Sequence, residues 1–209
     1  IRHPDEEGQG RHTVTMQQHE RILILDFGSQ YTQLIARRVR EANVFSEIVD
    51  SAISLEDLRA HAPRGLILSG GPASVHDAGC PVCDPRLFEL GVPILGICYG
   101  LQYATHHLGG RVQRSGSREY GPAALNLEEE NPLFEGLPQE LRVWMSHADE
   151  VVEPAPGFRV IGRSRSVPCA ALYNGEKRIW GVQFHPEVVH TEHGKRMLYN
   201  FARTVCGCD

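Results

Sequence analysis

The most specific chemical pattern in the sequence is Gly96-Ile97-Cys98-Tyr99-Gly100, which follows a short apolar run, residues 92–95, and precedes a helix-like segment, residues 101–108. A nucleophile flanked in this way by glycines, between a strand and a helix, is typical of a nucleophile elbow. The following helix start offers free backbone N–H groups and the positive end of the helix dipole, and both favour the reactive thiolate. The pattern predicts that Cys98 is a nucleophile, although a buried cysteine in a sharp turn would give the same five residues.

A histidine and a carboxylate with suitable spacing lie in Gly181-Val-Gln-Phe-His185-Pro186-Glu187. A cysteine nucleophile needs a base that takes its proton and later delivers it to the leaving group, and that base needs an acceptor that fixes its tautomer. The stretch ends a predicted strand, and its proline stiffens the turn. We therefore predict that His185 faces Cys98 as general base and acid, and that Glu187 orients it. The alternative is an ordinary surface or core histidine, since the chain contains eleven.

Acyl transfer also requires hydrogen-bond donors for the developing oxyanion. The backbone N–H of Tyr99, directly after the nucleophile, is one candidate. The N–H of Gly71 is the other, because it lies in Ser69-Gly70-Gly71-Pro72 after a predicted strand. A phosphate-binding loop is the alternative interpretation of that stretch, but it lacks the lysine and the spacing of a P-loop.

Alternating strands and helices in the first half predict an α/β domain with a mostly parallel sheet. The predicted strands are residues 21–26, 44–49, 65–69 and 92–96, and the predicted helices are residues 30–41, 55–61 (with Ser54 as N-cap), 85–90 and 101–108. Active sites of such sheets lie beyond the carboxyl ends of the strands. Asp26, Gly70-Gly71 and Cys98 all fall at such ends.

The second half is predicted to contain short, partly antiparallel strands and one closing amphipathic helix, residues 192–205. The predicted strands are residues 123–127, 141–145, 151–153, 159–163, 169–173 and 179–184.

Length and composition exclude several classes of function. The 209 residues, 41% of them hydrophobic, suit one domain with a substantial core. We assign residues 21–209 to that domain and interpret residues 1–20, which are polar and without periodicity, as a disordered leader or expression remnant. The net charge of −5 argues against nucleic-acid binding, and no apolar run approaches the roughly 18 residues of a membrane span. These features indicate a cytoplasmic protein with reduced cysteines.

Four of the six cysteines form two pairs, Cys80 with Cys83 and Cys206 with Cys208. Two such pairs could build a four-thiolate zinc site. The Cys-x-Cys spacing of the second pair and its place near the end of the sequence argue against one. We expect no metal in this chain.

Three stretches together resemble the motifs of the class I, triad-type glutamine amidotransferases: Gly-Ile-Cys98-Tyr-Gly-Leu-Gln, Leu-Ser-Gly-Gly71-Pro and Gly-Val-Gln-Phe-His185-Pro-Glu187. The resemblance implies a flavodoxin-like three-layer sandwich, with a central, mostly parallel sheet and a small antiparallel sheet. It also implies hydrolysis of L-glutamine to glutamate and ammonia through a γ-glutamyl thioester on Cys98. The family's glutamine-binding residues fall here on Gly71, Gln102, Ser146, Ala148 and Asp149.

Three further stretches resemble the glutaminase domains of GMP synthases: Ile-Leu-Asp26-Phe-Gly-Ser-Gln-Tyr-Thr-Gln-Leu, Val-Trp144-Met-Ser-His-Ala-Asp149 and His190-Thr-Glu-His-Gly-Lys. This implies that ammonia passes to a synthetase domain or subunit, which binds ATP and Mg and aminates ATP-activated XMP to GMP. The present sequence contains no synthetase domain, so we expect an excised domain or a separate subunit. Ala148 stands where the pattern has glycine, which would strain the chain if a positive φ is needed there.

Two other functions fit the same residues. One is an amidotransferase subunit of another pathway, and the other is a regulatory or binding subunit that is inactive until docked on its partner. Residues 114–121 are predicted to be either an exposed loop or a surface that docks the synthetase partner. Residues 190–193 either face the same partner or form a solvated helix start. Gln30 and Tyr31 either line an ammonia exit or simply begin a helix.

Overall fold

A computed structural model describes residues 19–209, so all but the last two residues of the predicted leader lie outside the described part. Its strands are β1 (Arg21–Asp26), β2 (Phe45–Asp50), β3 (Gly65–Leu68), β4 (Ile94–Ile97), β5 (Arg111–Leu127), β6 (Glu140–Glu153), β7 (Arg159–Arg163), β8 (Ala171–Asn174) and β9 (Ile179–Val182). Its α-helices are α1 (Thr32–Glu41), α2 (Leu55–Ala60), α3 (Tyr99–His107) and α4 (Gly194–Tyr199). Short 3-10 helices span Pro85–Glu89 and Pro132–Phe134, and a π-helix spans Asn200–Val205.

All nine strands form one sheet in the order β2-β1-β3-β4-β9-β8-β7-β5-β6. The first five strands of that order are parallel, and the pairings from β9 outward to β6 are antiparallel. The predicted α/β class is therefore confirmed. The antiparallel strands extend one edge of the parallel sheet instead of forming a separate sheet.

Four of the five parallel strands, β1, β3, β4 and β9, are buried on both faces, as their continuous apolar runs predict. The edge strand β2 is partly exposed. Ile22 and Ile24 of β1 pack on one face with α1 and α4, while Leu23 and Leu25 pack on the other face with α2 and α3. Helices thus cover both sides of the parallel strands and complete the three layers. This arrangement leaves the carboxyl ends of β1, β3, β4 and β9 free to build a site at one edge.

The prediction of an exposed loop at residues 114–121 is wrong, because these residues belong to β5, which pairs with β6. Arg114 pairs with Asp149 and Glu119 with His147, so a wide bulge of residues 115–118 lies opposite Ala148. The two strands predicted at 141–145 and 151–153 are likewise one strand, β6. A long partner strand satisfies the backbone of a polar, glycine-containing stretch whose local pattern indicates a turn.

The predicted helix ends lie within one residue of the observed ends, whereas the starts of α1, α3 and the closing helix differ from prediction by two residues. Ser54 caps α2 as predicted, since its Oγ accepts a hydrogen bond of 3.1 Å from the backbone N–H of Asp57. The closing helix, predicted at residues 192–205, begins at Gly194 and continues as a π-helix from Asn200. None of the helices in residues 19–209 has the length and apolar character needed to cross a membrane.

Candidate active site

Cys98 occupies a sharp turn between β4 and α3, with φ 52° and ψ −106°. A positive φ is strained for a residue with a β-carbon, so the surrounding structure must hold it. The backbone N–H of Cys98 donates 2.8 Å to Val182 O of β9. A β-carbon on Gly100 would overlap the carbonyl oxygen of Leu68, and one on Gly96 would lie 2.8 Å from the backbone of Gly100. Both glycines are therefore required for the close approach, as the pentapeptide predicts.

His185 and Glu187 follow β9 and meet Cys98 at the carboxyl end of the sheet. His185 Nδ1–H donates 2.7 Å to Glu187 Oε1, and interaction with Cys98 contributes to raising the pKa of His185. Both side chains converge on Gly70, where a hypothetical β-carbon would lie 3.1 Å from His185 Cε1 and 3.5 Å from Cys98 Cβ. The structure brings the three predicted residues together as a Cys–His–Glu triad.

The electrostatics of the triad favour a protonated imidazole. Burial alone lowers the pKa of His185, but its hydrogen bonds to Cys98 and Glu187 and the negative charges of both outweigh burial. The net result holds the pKa of His185 well above its usual range. The arrangement therefore stores a proton on His185 beside the sulfur of Cys98.

Two connections that sequence reasoning missed hold the triad's histidine. The backbone N–H of His185 donates 3.1 Å to Trp144 O of β6, and Thr191 Oγ–H donates 2.6 Å to His185 O. Thr191 Oγ1 in turn accepts 3.0 Å from the N–H of Trp144. These bonds tie the segment that follows β9 to strand β6.

The candidate oxyanion donors lie where the sequence predicts. Gly71 follows β3 in the cleft beside Cys98, and a β-carbon on it would overlap Phe27 O. Tyr99 is the first residue of α3, so its N–H is one of the groups without a partner inside the helix. Both backbone groups are available for a developing negative charge near the sulfur.

A cleft of about 480 Å³ opens onto Cys98 and His185. The predicted glutamine-binding residues all line it: Gly71, Gln102, Ser146, Ala148 and Asp149. Asp149 is 6% exposed, and its Oδ2 is buried without a hydrogen-bond partner among the described residues. Ser146 O lies 3.5 Å from Cys98 Sγ. The cleft thus places the nucleophile, the Asp149 carboxylate and β6 backbone around a space that suits a small polar ligand.

Alanine at position 148 is compatible with this geometry. Ala148 lies in strand β6 and is not among the residues of positive φ. The replacement of the expected glycine therefore causes no backbone strain.

Gln183, which sequence reasoning did not single out, lies against the nucleophile. Its side chain is fully buried, and its Nε2 lies 3.5 Å from Cys98 Sγ. Its Oε1 accepts 3.2 Å from Gln102 Nε2, which also donates 2.9 Å to Asp149 O. The signal in the sequence is a polar side chain at the end of an apolar strand, two residues before His185.

Gln30, Tyr31, Arg114 and Arg118 also line the cleft. The ring of Tyr31 meets that of His185 edge-on, with centroids 5.9 Å apart. His190 instead stacks on Trp144 at 4.7 Å.

The described residues do not bring three or more His, Cys, Asp or Glu side chains into a group that could hold a metal. Cys83 is buried against Tyr103, whose hydroxyl accepts from the backbone N–H of Cys83 at 3.1 Å. Burial raises the pKa of the Cys83 thiol to about 12. Cys206 lies elsewhere, against Gly65, so the two cysteine pairs do not form the zinc site weighed above.

A larger groove, of about 840 Å³, is lined mainly by residues between 127 and 139. It contains none of the triad residues. The candidate active site is therefore the smaller cleft, because that cleft contains Cys98 and His185.

The fold and the site together define an α/β protein with a cysteine nucleophile on an elbow and a histidine–glutamate pair beside it. Residues 23–205 match the family model described as Glutamine amidotransferase class-I. The chain belongs to that family.

Several relatives carry more specific names. The chain is 57% identical over 189 residues to the glutamine-hydrolyzing GMP synthase of Aquifex aeolicus and 53% identical over 191 residues to that of Bacillus cereus. These matches cover 90% and 91% of this chain, but only 37% of each relative. A protein of Thermoplasma acidophilum assigned as a GMP synthase subunit superposes with a TM-score of 0.79 at 29% identity, over 90% of this chain and 94% of that chain. A glutamine amidotransferase of Thermotoga maritima, 22% identical, shares the fold with a TM-score of 0.64, over 89% of this chain and 83% of that one.

Proposed function

We propose that the chain hydrolyses L-glutamine to glutamate and ammonia as the glutaminase component of a GMP synthase. The observation that carries this proposal is the triad of Cys98, His185 and Glu187 at the mouth of a polar cleft in a glutamine amidotransferase fold.

The first half of the reaction forms a thioester. The Cys98 thiolate attacks the side-chain amide carbon of glutamine, and the carbonyl oxygen takes the negative charge. The N–H groups of Gly71 and Tyr99 stabilise this oxyanion. His185 then donates its proton to the amide nitrogen as the C–N bond breaks, which releases ammonia and leaves a γ-glutamyl thioester on Cys98.

The second half returns the enzyme to its starting state. Water replaces ammonia, and the now neutral His185 takes one of its protons as the oxygen attacks the thioester carbon. The C–S bond breaks, glutamate leaves, and the thiolate and protonated imidazole are restored. Glu187 keeps Nδ1 of His185 as the donor throughout, so that the other ring nitrogen serves Cys98.

Charges and free polar atoms of the cleft suit the α-amino acid end of the substrate. The Asp149 carboxylate, whose Oδ1 lies 4.0 Å from Arg114 Nε, would pair with the α-ammonium group. The ammonium would give its Oδ2 the hydrogen-bond partner that this atom lacks among the described residues. Gln102 uses its Nε2 within the protein, so its Oε1 is the atom left for a donor of the ligand. Ser146 and Ala148 would contribute backbone groups of β6.

The acceptor of the ammonia is proposed from the relatives. Those named GMP synthase are longer than this chain, which spans 37% of their length. We propose that the partner is a synthetase domain or subunit that binds ATP and Mg and aminates ATP-activated XMP. The chain itself uses no cofactor in this scheme. We place it in the cytoplasm, where its nucleophile and the other free cysteines stay reduced.

Glutamate release from L-glutamine tests the proposal. The chain and its Cys98→Ala variant are assayed alone and then with a synthetase partner, ATP and XMP. Turnover that depends on Cys98 is expected in at least one of these conditions. Turnover that survives Cys98→Ala would contradict the mechanism.

One observation favours a subunit that is inactive until docked. Ser146 O can only accept a hydrogen bond, so its position 3.5 Å from Cys98 Sγ favours the neutral thiol over the thiolate. Ser146 lies on β6 close to the β5 bulge at the cleft mouth, where Arg118 is exposed. In this second function, docking at this mouth repositions Ser146 and so removes its contact with Cys98. Glutamate release only in the presence of the partner would support this second function.

A further inference from the structure

Among residues 19–209, Gln183 is the one side chain hydrogen-bonded to the Cys98 sulfur that the mechanism above does not use. It is fully buried at the carboxyl end of β9, and its Nε2 lies 3.5 Å from Cys98 Sγ. We infer that Gln183 is a further catalytic residue, whose side-chain N–H stabilises the thiolate of Cys98. This inference rests on the proposed function, because the thiolate matters only if Cys98 is the nucleophile.

The orientation of the Gln183 amide follows from its neighbours. Gln102 contacts the backbone oxygen of Asp149, which can only accept, so the Gln102 atom at 2.9 Å must be its NH₂ group. The same NH₂ group lies 3.2 Å from the Gln183 amide, and its second hydrogen requires an acceptor there. The Gln183 atom facing Gln102 is therefore Oε1, and its NH₂ group is turned toward the sulfur.

The backbone fixes the distance between the two groups. The N–H of Gln183 donates 2.9 Å to Ala170 O, and the N–H of Cys98 donates 2.8 Å to Val182 O, the residue before Gln183. Strands β4 and β9 are hydrogen-bonded neighbours in the sheet. Gln183 thus reaches Cys98 from a rigid element, and its desolvated N–H strengthens the interaction with a charged acceptor.

Three neighbouring groups therefore influence whether Cys98 is a thiol or a thiolate. The protonated ring of His185 and the N–H of Gln183 favour the thiolate, because both donate. Ser146 O favours the thiol, because it only accepts. Without the Gln183 donor, His185 still favours the thiolate and Ser146 O still favours the thiol. One of the groups that favour the thiolate is then missing, so the thiolate should form at a higher pH.

The test measures alkylation of Cys98 by iodoacetamide, which requires a thiolate but no turnover. Rates are followed by mass spectrometry of the Cys98 peptide across about pH 5 to 10. Gln183→Leu keeps most of the bulk of the side chain but loses the donor. We expect its half-maximal pH to rise by about one unit, so that its rate at pH values below both midpoints falls about tenfold, as the loss of one hydrogen bond to a charged group implies.

A second variant keeps the inference falsifiable if Gln183→Leu does not fold. Gln102→Met leaves Gln183 in place but frees its amide to rotate, so the profile should shift in the same direction and by less. Gln139→Leu, which removes an exposed glutamine amide, is the matched control and should leave the profile unchanged. Thermal unfolding confirms that each variant compared is folded.

The outcomes separate this inference from the proposed function. A higher half-maximal pH of alkylation in Gln183→Leu supports the inference. If Gln183→Leu does not fold, a higher half-maximal pH in Gln102→Met supports it. A wild-type profile in the folded variant overturns it, whatever the glutaminase assay shows. A shifted profile in a chain that releases no glutamate with or without its partner would overturn the proposed function and leave the thiolate contact standing.

Discussion

Arg38 Nε donates a hydrogen bond of 3.2 Å to the backbone oxygen of Glu187, although 149 residues separate the two in the chain. The Arg38 side chain is 8% exposed, and its other end pairs with Glu41 at 3.1 Å. Helix α1 therefore holds the turn that carries the triad's carboxylate.

Loss of the Arg38 side-chain donor should weaken this turn. Arg38→Met keeps an apolar stem of similar length but leaves a buried carbonyl oxygen without its partner. We expect the free energy of unfolding, measured with urea, to fall by about 1–3 kcal/mol. The neighbouring Arg37→Met is the control, because Arg37 is exposed and its ion pair in the described part of the chain is with Glu41 on the same helix. Equal effects of the two substitutions would contradict the assignment.

Glu187→Gln tests the role of the carboxylate. The amide has nearly the same shape but no negative charge, so the pKa of His185 should fall toward its usual range and the thiolate should be less favoured. We expect glutamate release to drop by roughly 10²-fold or more, within the range of general acid–base catalysis. The exposed Glu176→Gln serves as the control for loss of one carboxylate. Retention of full activity by Glu187→Gln would show that the carboxylate is dispensable.

The raised pKa of His185 makes stability depend on pH. Because its folded-state pKa lies above the unfolded value of about 6.5, His185 contributes stability that is fully present below about pH 6.5 and is lost as the pH rises through the folded-state pKa. We expect the free energy of unfolding to decline toward alkaline pH more steeply in the wild type than in His185→Gln. Cys83, whose pKa burial raises to about 12, adds the same dependence to both proteins. Parallel curves for the two proteins would contradict this linkage.

Gly100→Ala tests the packing of the elbow. Its β-carbon would overlap the carbonyl oxygen of Leu68, so α3 must move away from β3. Overpacking of this kind costs about 1–3 kcal/mol, which thermal or urea unfolding would detect. Gly116→Ala is the control, since nothing lies within 4 Å of its hypothetical β-carbon. A Gly100→Ala protein as stable as the Gly116→Ala protein would show that the elbow tolerates a side chain.

The parts of the site that the sequence predicts are those specified locally. The elbow needs its glycines within a few residues of Cys98, and the His185–Glu187 pair lies within one turn, so both leave a local pattern. Arg38 and Thr191 leave none, because their partners are chosen by the way α1 and β6 pack against the segment after β9. Gln183 is an intermediate case, since its place beside His185 is visible but its contact with Cys98 depends on the β4–β9 pairing.

The same reasoning explains the error at residues 114–121. Local composition there is that of a turn, but the ladder with β6 supplies the backbone hydrogen bonds and absorbs the surplus residues in a bulge opposite Ala148. Strand pairing across tens of residues is a property of the sheet. A short stretch of sequence read by itself therefore does not reveal this pairing.

The bonds from Trp144 to His185 and Thr191 have a thermodynamic consequence. Trp144 lies two residues before Ser146 on the strand that lines the cleft, and it shares hydrogen bonds with the backbone of the catalytic base. A ligand that immobilises this strand therefore restricts the imidazole as well. Linkage between two binding events is reciprocal. If a ligand of the cleft strengthens the binding of a partner that aligns the imidazole with the sulfur, that partner must raise the affinity of the cleft for the ligand by the same factor.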